Sequence, residues 1–225
     1  MTILVLASNS PRRRQLLALG GWDFTIAPAD VDETPLPAEP AADYVLRLAQ
    51  RKAQAAAALL TAASAAVETL VLAADTTVVD EGLILGKPRH AAEARQMLKR
   101  LRGRTHQVYT AIAVLRLGAP APLTDLCCTD VPMRPYSEAE MDIYIASGDP
   151  LDKAGAYAIQ HPGFRPVERL EGCYANVVGL PLCHLQRTLR KMGLSPQTDL
   201  PQACQQSLQY TCPVFRNILD GAGVL

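Results

Sequence analysis

Aliphatic residues run unbroken from Ile3 to Ala7, a pattern that predicts a short strand covered on both faces. Ser10 and Pro11 follow. The first is a good N-cap and the second suits the first helical position, so a helix is expected to begin there. Gly20-Gly21 interrupts the pattern, and Asp23 to Ala27 reads as a second strand. Pro35, Pro37 and Pro40 keep the next stretch extended. Alanine and leucine then fill a long helix, expected from Ala41 to Ser64, with Leu46, Ala49, Ala53, Ala57 and Leu60 on one stripe. Leu70 to Ala74 is another buried strand, ending at Asp75 and continued by the β-branched run Thr76 to Val79. Asp80-Glu81-Gly82 reads as a turn and Leu83 to Leu85 as the strand that returns from it.

Further on, Ala94, Met97, Leu98 and Leu101 mark Ala91 to Leu101 as an amphipathic helix that Gly103 ends. Gln107 to Leu117 and Leu123 to Met133 are expected as partner strands about the turn Gly118 to Pro122. Ser137-Glu138-Ala139-Glu140 is a capping box for a helix reaching Ala146, stopped by Gly148 and Pro150. Val167 to Glu171 is expected as a strand. Pro181 to Met192 is expected as a helix with its basic end, Arg187, Arg190 and Lys191, where cations are favoured. The alternation predicts an α/β domain with a mixed sheet flanked by helices. Beyond Gly193 the composition shifts to Pro, Gln and Cys. Residues 195–225 are therefore expected to be an extension outside a catalytic unit spanning 1–194.

Composition narrows the function. The 225 residues are 49% hydrophobic and 20% charged, with a formal net charge of zero. Bulk charge does not support a general nucleic-acid binder, and an aromatic fraction of 5% offers no base-stacking platform. Any polyanion site must be a local gathering of Lys and Arg. No apolar run approaches membrane-spanning length, and the short run after Met1 does not have the layout of a secretory leader. Cys127, Cys128, Cys173, Cys183, Cys204 and Cys212 form no CxxC pair and no zinc-finger spacing. They are expected as buried thiols in a reducing compartment, which points to the cytoplasm.

Several stretches carry charge where folding alone would not put it. Arg12, Arg13 and Arg14 occupy a first helical turn, where cations cost a few tenths of a kcal/mol each unless an anion sits opposite. Backbone N–H groups, hydroxyls and guanidinium forks together suit a phosphate; a solvated basic helix end fits the same residues. Asp30-Val31-Asp32-Glu33-Thr34-Pro35 is a solvated turn or a set of carboxylates near a metal or the arginines. Arg47 and Arg51 share a helix face with Lys52 beside them, and spacing alone does not say whether Lys52 enters a cleft. Asp75 ends an apolar strand, a costly place for a carboxylate without a partner or a metal. Pro88 holds Lys87 in extended backbone, and the hairpin between Asp75 and Lys87 can bring both to one cleft. Gly155 to Gln160 is small and backbone-dense, suited to a close ligand. His90, His106, His161 and His184 have no metal-ligand spacing, and no Ser–His–Asp arrangement is readable. These features favour attack of water on a phosphate, with Mg²⁺ or Mn²⁺ as the natural cation for oxygen ligands.

With these residues in view, the chain resembles the Maf family of nucleoside triphosphate pyrophosphatases. The matching pieces are Leu6-Ala7-Ser8-Asn9-Ser10-Pro11-Arg12-Arg13, Asp32-Glu33-Thr34, Lys52-Ala53, Ala74-Asp75-Thr76 with Val78-Val79, and Gly86-Lys87-Pro88. Asp152 to Gln160 and Val177-Val178-Gly179-Leu180-Pro181 follow, so that the resemblance spans Ile3 to Gly193. It implies a Maf/ITPase-like fold with two lobes around a central cleft, and cleavage between the α and β phosphates to give a monophosphate and pyrophosphate. It further implies Asp75 as proton acceptor. Arg12, Thr76 and Gln160 match positions tied to nucleotide preference. Ser8, Glu33, Lys52 and Lys87 match further cleft residues. On their own chemistry Arg12, Arg13, Lys52 and Lys87 supply positive charge, and Asp75, as base or metal ligand, has Glu33 as a second carboxylate for a metal. Thr76, where a branch acting on 7-methylguanosine triphosphate has Gln, favours dTTP and UTP. His161 follows Gln160 where the family usually has Gly, and the tail after Gly193 has no counterpart in the resemblance. The implied partners are the nucleotide and a second copy of the chain, with no nucleic acid and no membrane. The alternative readings are a non-catalytic nucleotide-binding regulator of cell division and a nucleotidyl- or phosphoryl-transferase.

Overall fold

A computed structural model describes residues 2–60 and 68–221. Its elements in chain order are β1 (Thr2–Leu6), α1 (Pro11–Ala18), β2 (Phe24–Ile26), α2 (Ala41–Leu59), β3 (Glu68–Asp80) and β4 (Leu83–Leu85). Then come α3 (Ala91–Leu101), β5 (Thr105–Arg116), β6 (Leu123–Pro132), α4 (Glu138–Ala146), α5 (Tyr174–Val178), α6 (Leu182–Arg190), α7 (Leu200–Leu208) and α8 (Phe215–Leu219). Short 3₁₀ turns occupy Asp149–Asp152 and Ala154–Ala156. The strands form one mixed sheet in the order β2-β1-β3-β5-β6, with β4 paired to β3. β1 runs parallel to β2 and β3; the pairs of β3 with β4 and β5, and of β5 with β6, are antiparallel.

Strand alternation sorts the core into two layers. Leu4, Leu6, Leu70, Leu72, Ala74, Ile112 and Val114 pack on one face, against α1, α3, α4 and α6. Val5, Ala7, Val71, Ala73, Ala111, Ala113 and Leu115 pack on the other, against α2. Burial on both faces explains the unbroken aliphatic runs. Each fully buried Leu contributes roughly 1.5–3 kcal/mol, and Leu4, Leu6, Leu70 and Leu72 are at most 1% exposed.

Helix α2 is shorter than its composition suggests. Leu60 turns to extended backbone at ψ 114°, so the helix ends at Leu59; the rest of the run expected to Ser64 falls on 61–64, outside the described residues. Its buried stripe is Val45, Leu48, Ala49, Ala53 and Ala56, with Leu46, Ala57 and Leu60 at the margin. That rotation puts Lys52 on the sheet-facing side, one turn from Leu48, Ala49 and Ala56. Alanine faces alanine across this layer, which lets helix and sheet approach closely.

Two other expectations change. Val167 to Glu171 is not a strand: only Val167 makes an isolated bridge, to Met133. Pro166 lacks an N–H and gives its carbonyl to the Arg134 N–H, and Arg165 at φ +41° breaks the extended run before it. The tail is also packed onto the body. The Trp22 indole N–H donates to the Ser195 carbonyl (2.9 Å), the Gln197 N–H to the Gly20 carbonyl (2.8 Å), and the Thr198 hydroxyl to the Leu19 carbonyl (2.7 Å). Leu200 belongs to the main core cluster and is fully buried. Gly20 is required here, because a Cβ would meet the Trp22 ring at 2.1 Å. The remaining strand and helix expectations, including the Ser137–Glu140 capping box, match the structure to within a residue or two at each end.

Candidate functional site

The sheet opens along β3. Its first half pairs with β1 as far as Leu72, and its last residues pair with β4 from Val78 onward. Among the described residues, Ala73 to Thr77 ladder only to β5. A cavity of about 420 Å³ sits beside this gap. Its walls are the loop Ala7–Arg13, the acidic loop at Asp30 and Glu33, Lys52 on α2, Thr76, Lys87, the segment Asp152–Gln160, and Val177–Gly179. Ser8, Arg12, Arg13, Glu33, Lys52, Thr76, Lys87 and Gln160 thus surround one hollow. Asp75 lies one step behind the wall, reached through Lys52.

Alternation decides where Asp75 points. Val71 and Ala73 face α2, so residue 75 faces α2 as well. The Lys52 ammonium donates to Asp75 Oδ1 (2.6 Å) and pairs with Glu33 Oε1 (2.5 Å). Asp75 is only 6% exposed. Burial pushes its carboxyl above the usual range, against the charge and hydrogen bond of Lys52 and the charge of Arg13. Glu33 goes the other way. Although burial works to raise it, the Lys52 hydrogen bond and charge, with Lys87 and Arg13 beyond, hold its carboxyl below the usual range. Two carboxylates on one lysine are thereby driven apart, the pattern that separates a proton acceptor from a permanently charged neighbour.

Arg47 and Tyr44 bring Glu33 to this place. Arg47 forks onto Glu39 (2.6 Å to each oxygen) and donates to the Thr34 carbonyl (3.2 Å), and the Tyr44 hydroxyl donates to the Glu33 carbonyl (2.9 Å). The Asp32 carboxylate accepts from the Thr34 N–H (2.9 Å), closing the turn. The acidic loop is solvent-exposed, yet these bonds tie it to α2 and bring Glu33 to Lys52.

On the other face of β3, Thr76 meets the arginine turn. Arg13 donates to the Gly179 carbonyl (2.9 Å), the Thr76 hydroxyl (3.1 Å) and the Ser8 hydroxyl (3.4 Å), while Thr76 and Thr110 share a 2.9 Å hydroxyl contact. Desolvation lowers the Arg13 guanidinium pKa, opposed by Asp75. Gly179 at φ +118° lets its carbonyl reach the guanidinium; a Cβ there would lie 3.3 Å from the Thr76 hydroxyl. Arg12 stays half-buried and faces Asp152 at 3.6 Å. Ser10 caps α1 by accepting from the Arg13 N–H (3.4 Å). Arg14 is exposed on α1. Lys87 is exposed at the rim, on a segment tied by the Gly155 N–H to the Gly86 carbonyl (3.1 Å).

Residue-type reasoning gave no role to Lys153, which lines the cavity fully clamped by Asp149 and Asp152. The acid–base alternation Asp149-Asp152-Lys153 was the available signal. None of the histidines lines this cavity: His90 caps α3, and His106 and His184 are buried. All six cysteines are free thiols. Among the described residues no group of three or more His, Cys, Asp and Glu could hold a metal by itself, and no helix is long and apolar enough to cross a membrane.

The family model described as Maf-like protein matches residues 3–192. A dTTP/UTP pyrophosphatase of Anaeromyxobacter dehalogenans is 49% identical over 200 residues, covering 88% of this chain and 98% of that protein. One of Myxococcus xanthus is 50% identical over 193 residues, covering 86% and 94%. One of Hahella chejuensis is 46% identical over 196 residues, covering 87% and 95%.

Proposed function

Because the chain belongs to the Maf family, we propose that it hydrolyses pyrimidine nucleoside triphosphates, dTTP and UTP, to the monophosphate and pyrophosphate, a house-cleaning activity on unwanted nucleotides. The observation that carries the proposal is the convergence of Arg12, Arg13, Lys52 and Lys87 on one cavity beside a buried carboxylate. Arg12, Lys52 and Lys87 suit the charge of a triphosphate, and Arg13 adds positive charge behind them while tied to the floor of the cleft. The names of the relatives support the choice of dTTP and UTP.

The Lys52 clamp supplies a trigger. An arriving triphosphate competes with Asp75 and Glu33 for the ammonium. When phosphate takes it, Asp75 loses the neighbour that holds its pKa down and becomes a stronger base. Asp75 then accepts a proton from the attacking water as the α–β anhydride breaks, and pyrophosphate leaves against Lys52 and Lys87. Arg13, tied to Gly179 and Thr76, holds the floor in place. Thr76, Arg12 and Gln160 select the base.

Asp75 and Glu33 are hard oxygen donors already gathered round one cation, the Lys52 ammonium, and so fit a divalent metal completed by phosphate oxygens. Mg²⁺ or Mn²⁺ bound there would neutralise phosphate charge and polarise the anhydride. The free thiols and the family resemblance support a cytoplasmic setting and a homodimer.

The test is pyrophosphate release from dTTP and UTP with Mg²⁺, set against a purine triphosphate. Rapid release from the pyrimidine substrates is expected, and Arg12→Ala costs about 1–3 kcal/mol in kcat/KM. A pure protein that releases no pyrophosphate from any triphosphate overturns the reading.

A further inference from the structure

A second hollow, of about 440 Å³, adjoins the cleft. The two meet at Arg12, Ile159, Gln160 and Val178, which line both. Its far wall is the C-terminal end of α7, at Ser207, Leu208 and Gln209. Those residues lie beyond the family match, which stops at 192. The wall is held firmly. Leu200 anchors the start of α7 in the core, and the single proton of the Tyr210 hydroxyl is shared between the Leu170 and Gly172 carbonyls (2.8 and 2.9 Å). Gln209 adopts a left-handed cap at φ +48° that ends the helix over the hollow.

The chemistry of this annexe is one-sided. Arg12 and Arg165 line it and no Asp or Glu does. His161 accepts from the Phe164 N–H at Nδ1 (2.9 Å), which places the proton of the neutral ring on Nε2 as a donor. Gln160 and Gln209 add amide donors. Arg12 already faces Asp152 across the cleft, but Arg165 has no carboxylate partner among the described residues, and its guanidinium with the imidazole and amide donors suits an oxygen-rich anionic group. The space lies next to Arg12 and Gln160, the residues read above as base-selecting.

We infer that the tail turns this hollow into a subsite for nucleotides whose pyrimidine carries an acidic arm, so that the C-terminal extension sets substrate choice. The inference rests on the nucleotide reading of the main cleft. The triphosphate and base occupy the cleft, and the arm passes Gln160 into the annexe, where Arg165 meets its carboxylate. Arg165 and Ser207 are exposed on loop and helix end, so both can be changed without disturbing the core.

The experiment compares kcat/KM of the full chain for dTTP, for UTP with a carboxymethyl arm at C5, and for UTP with a cationic aminoallyl arm at C5. The intact protein prefers the acidic arm over the cationic one by about tenfold, the size of one charge-assisted contact. Arg165→Glu reverses that order. Ser207→Trp fills the annexe and depresses both armed substrates. dTTP turnover stays unchanged in both variants, which also shows that they fold. Equal turnover of the two armed substrates, unmoved by either variant while dTTP is still cleaved, overturns the subsite. Failure of the intact protein on dTTP as well sinks the nucleotide reading instead, so the two failures are distinct.

Discussion

Lys52 and Lys153 each hold a pair of carboxylates at hydrogen-bonding distance, yet the clamps are built from different materials. Lys153 takes its partners from its own neighbourhood. Its ammonium donates to the Asp149 carbonyl (2.7 Å), Asp149 Oδ1 (2.9 Å) and Asp152 Oδ1 (2.5 Å), which uses all three hydrogens. Burial works to raise both aspartates, but the Tyr144 hydroxyl on Asp149 and Lys153 on both bring them below the usual range. Lys52 takes its partners from β3 and from the acidic loop, elements far apart in sequence, and among the described residues only Asp75 and Glu33 accept from its ammonium. One hydrogen remains for a visitor, and one partner, Asp75, is raised rather than lowered. A clamp closed within one turn is mortar. A clamp assembled from distant elements, with spare donor capacity and a strained carboxylate, can do chemistry.

The sharpest way to break this comparison is Asp75→Asn. Turnover should fall by about 10³-fold, within the range for loss of a general base, while circular dichroism and the melting midpoint show a folded protein. Retention of most of kcat would mean that Asp75 is as inert as Asp149. A pH scan of stability comes next in size, and it tells the titration of the site from that of the core. Burial brings His106 down from an ordinary 6.5 to about 4, against a small opposing pull from Asp80. The unfolded chain therefore gains a proton between pH 6.5 and 4 that the folded chain refuses, and stability falls as pH falls through that window. The loss reaches about 3 kcal/mol near pH 4. Thermal melts should show it, and His106→Gln, which can still bond the Tyr157 hydroxyl, should flatten the slope.

Lys52→Met should cost about 10²-fold in kcat/KM, as expected for a lost phosphate contact in a water-poor site. It also releases Asp75 from the charge that holds it down, so the acid limb of the kcat/KM profile should move to higher pH. A limb that stays put or moves down would separate Lys52 from Asp75. Lys153→Met should do the reverse. Its partners are partly solvated, so the loss is about 1–2 kcal/mol of stability, read as a lower melting midpoint, with kcat/KM changed less than tenfold. A folded Lys153→Met protein without turnover would erase the contrast between the clamps.

Most of the frame was legible along the chain. Buried strands announced themselves as aliphatic runs, and caps such as Ser10 and Ser137 marked helix starts where they occur. Charges out of place, at Arg12–Arg14 and Asp75, pointed at the cavity. What stayed hidden depends on rotation and on distance. Lys52 could be assigned to a face only once α2 was seen to roll its alanines onto Ala73, Ala111 and Ala113. Sequence position groups Arg13 with Arg12 as a candidate phosphate contact, but in the structure it donates to Gly179, Thr76 and Ser8. Spacing places Arg47 on a helix face with Arg51 and gives it no role, and in the structure it ties the acidic loop to α2 through Glu39 and the Thr34 carbonyl. The tail carried no strong periodicity, so helices α7 and α8 and their seat on the body were invisible until long-range contacts were known.

The seat of the tail on Leu19, Gly20 and Trp22 joins the last stretch of the chain to its first helix across more than 170 residues. During synthesis such a junction must wait: the ribosome has to release residues 195–200 before the indole of Trp22 finds its acceptor and Leu200 its socket. The nascent protein therefore carries an open flank beside its first helix until residues 195–200 have emerged to cover it.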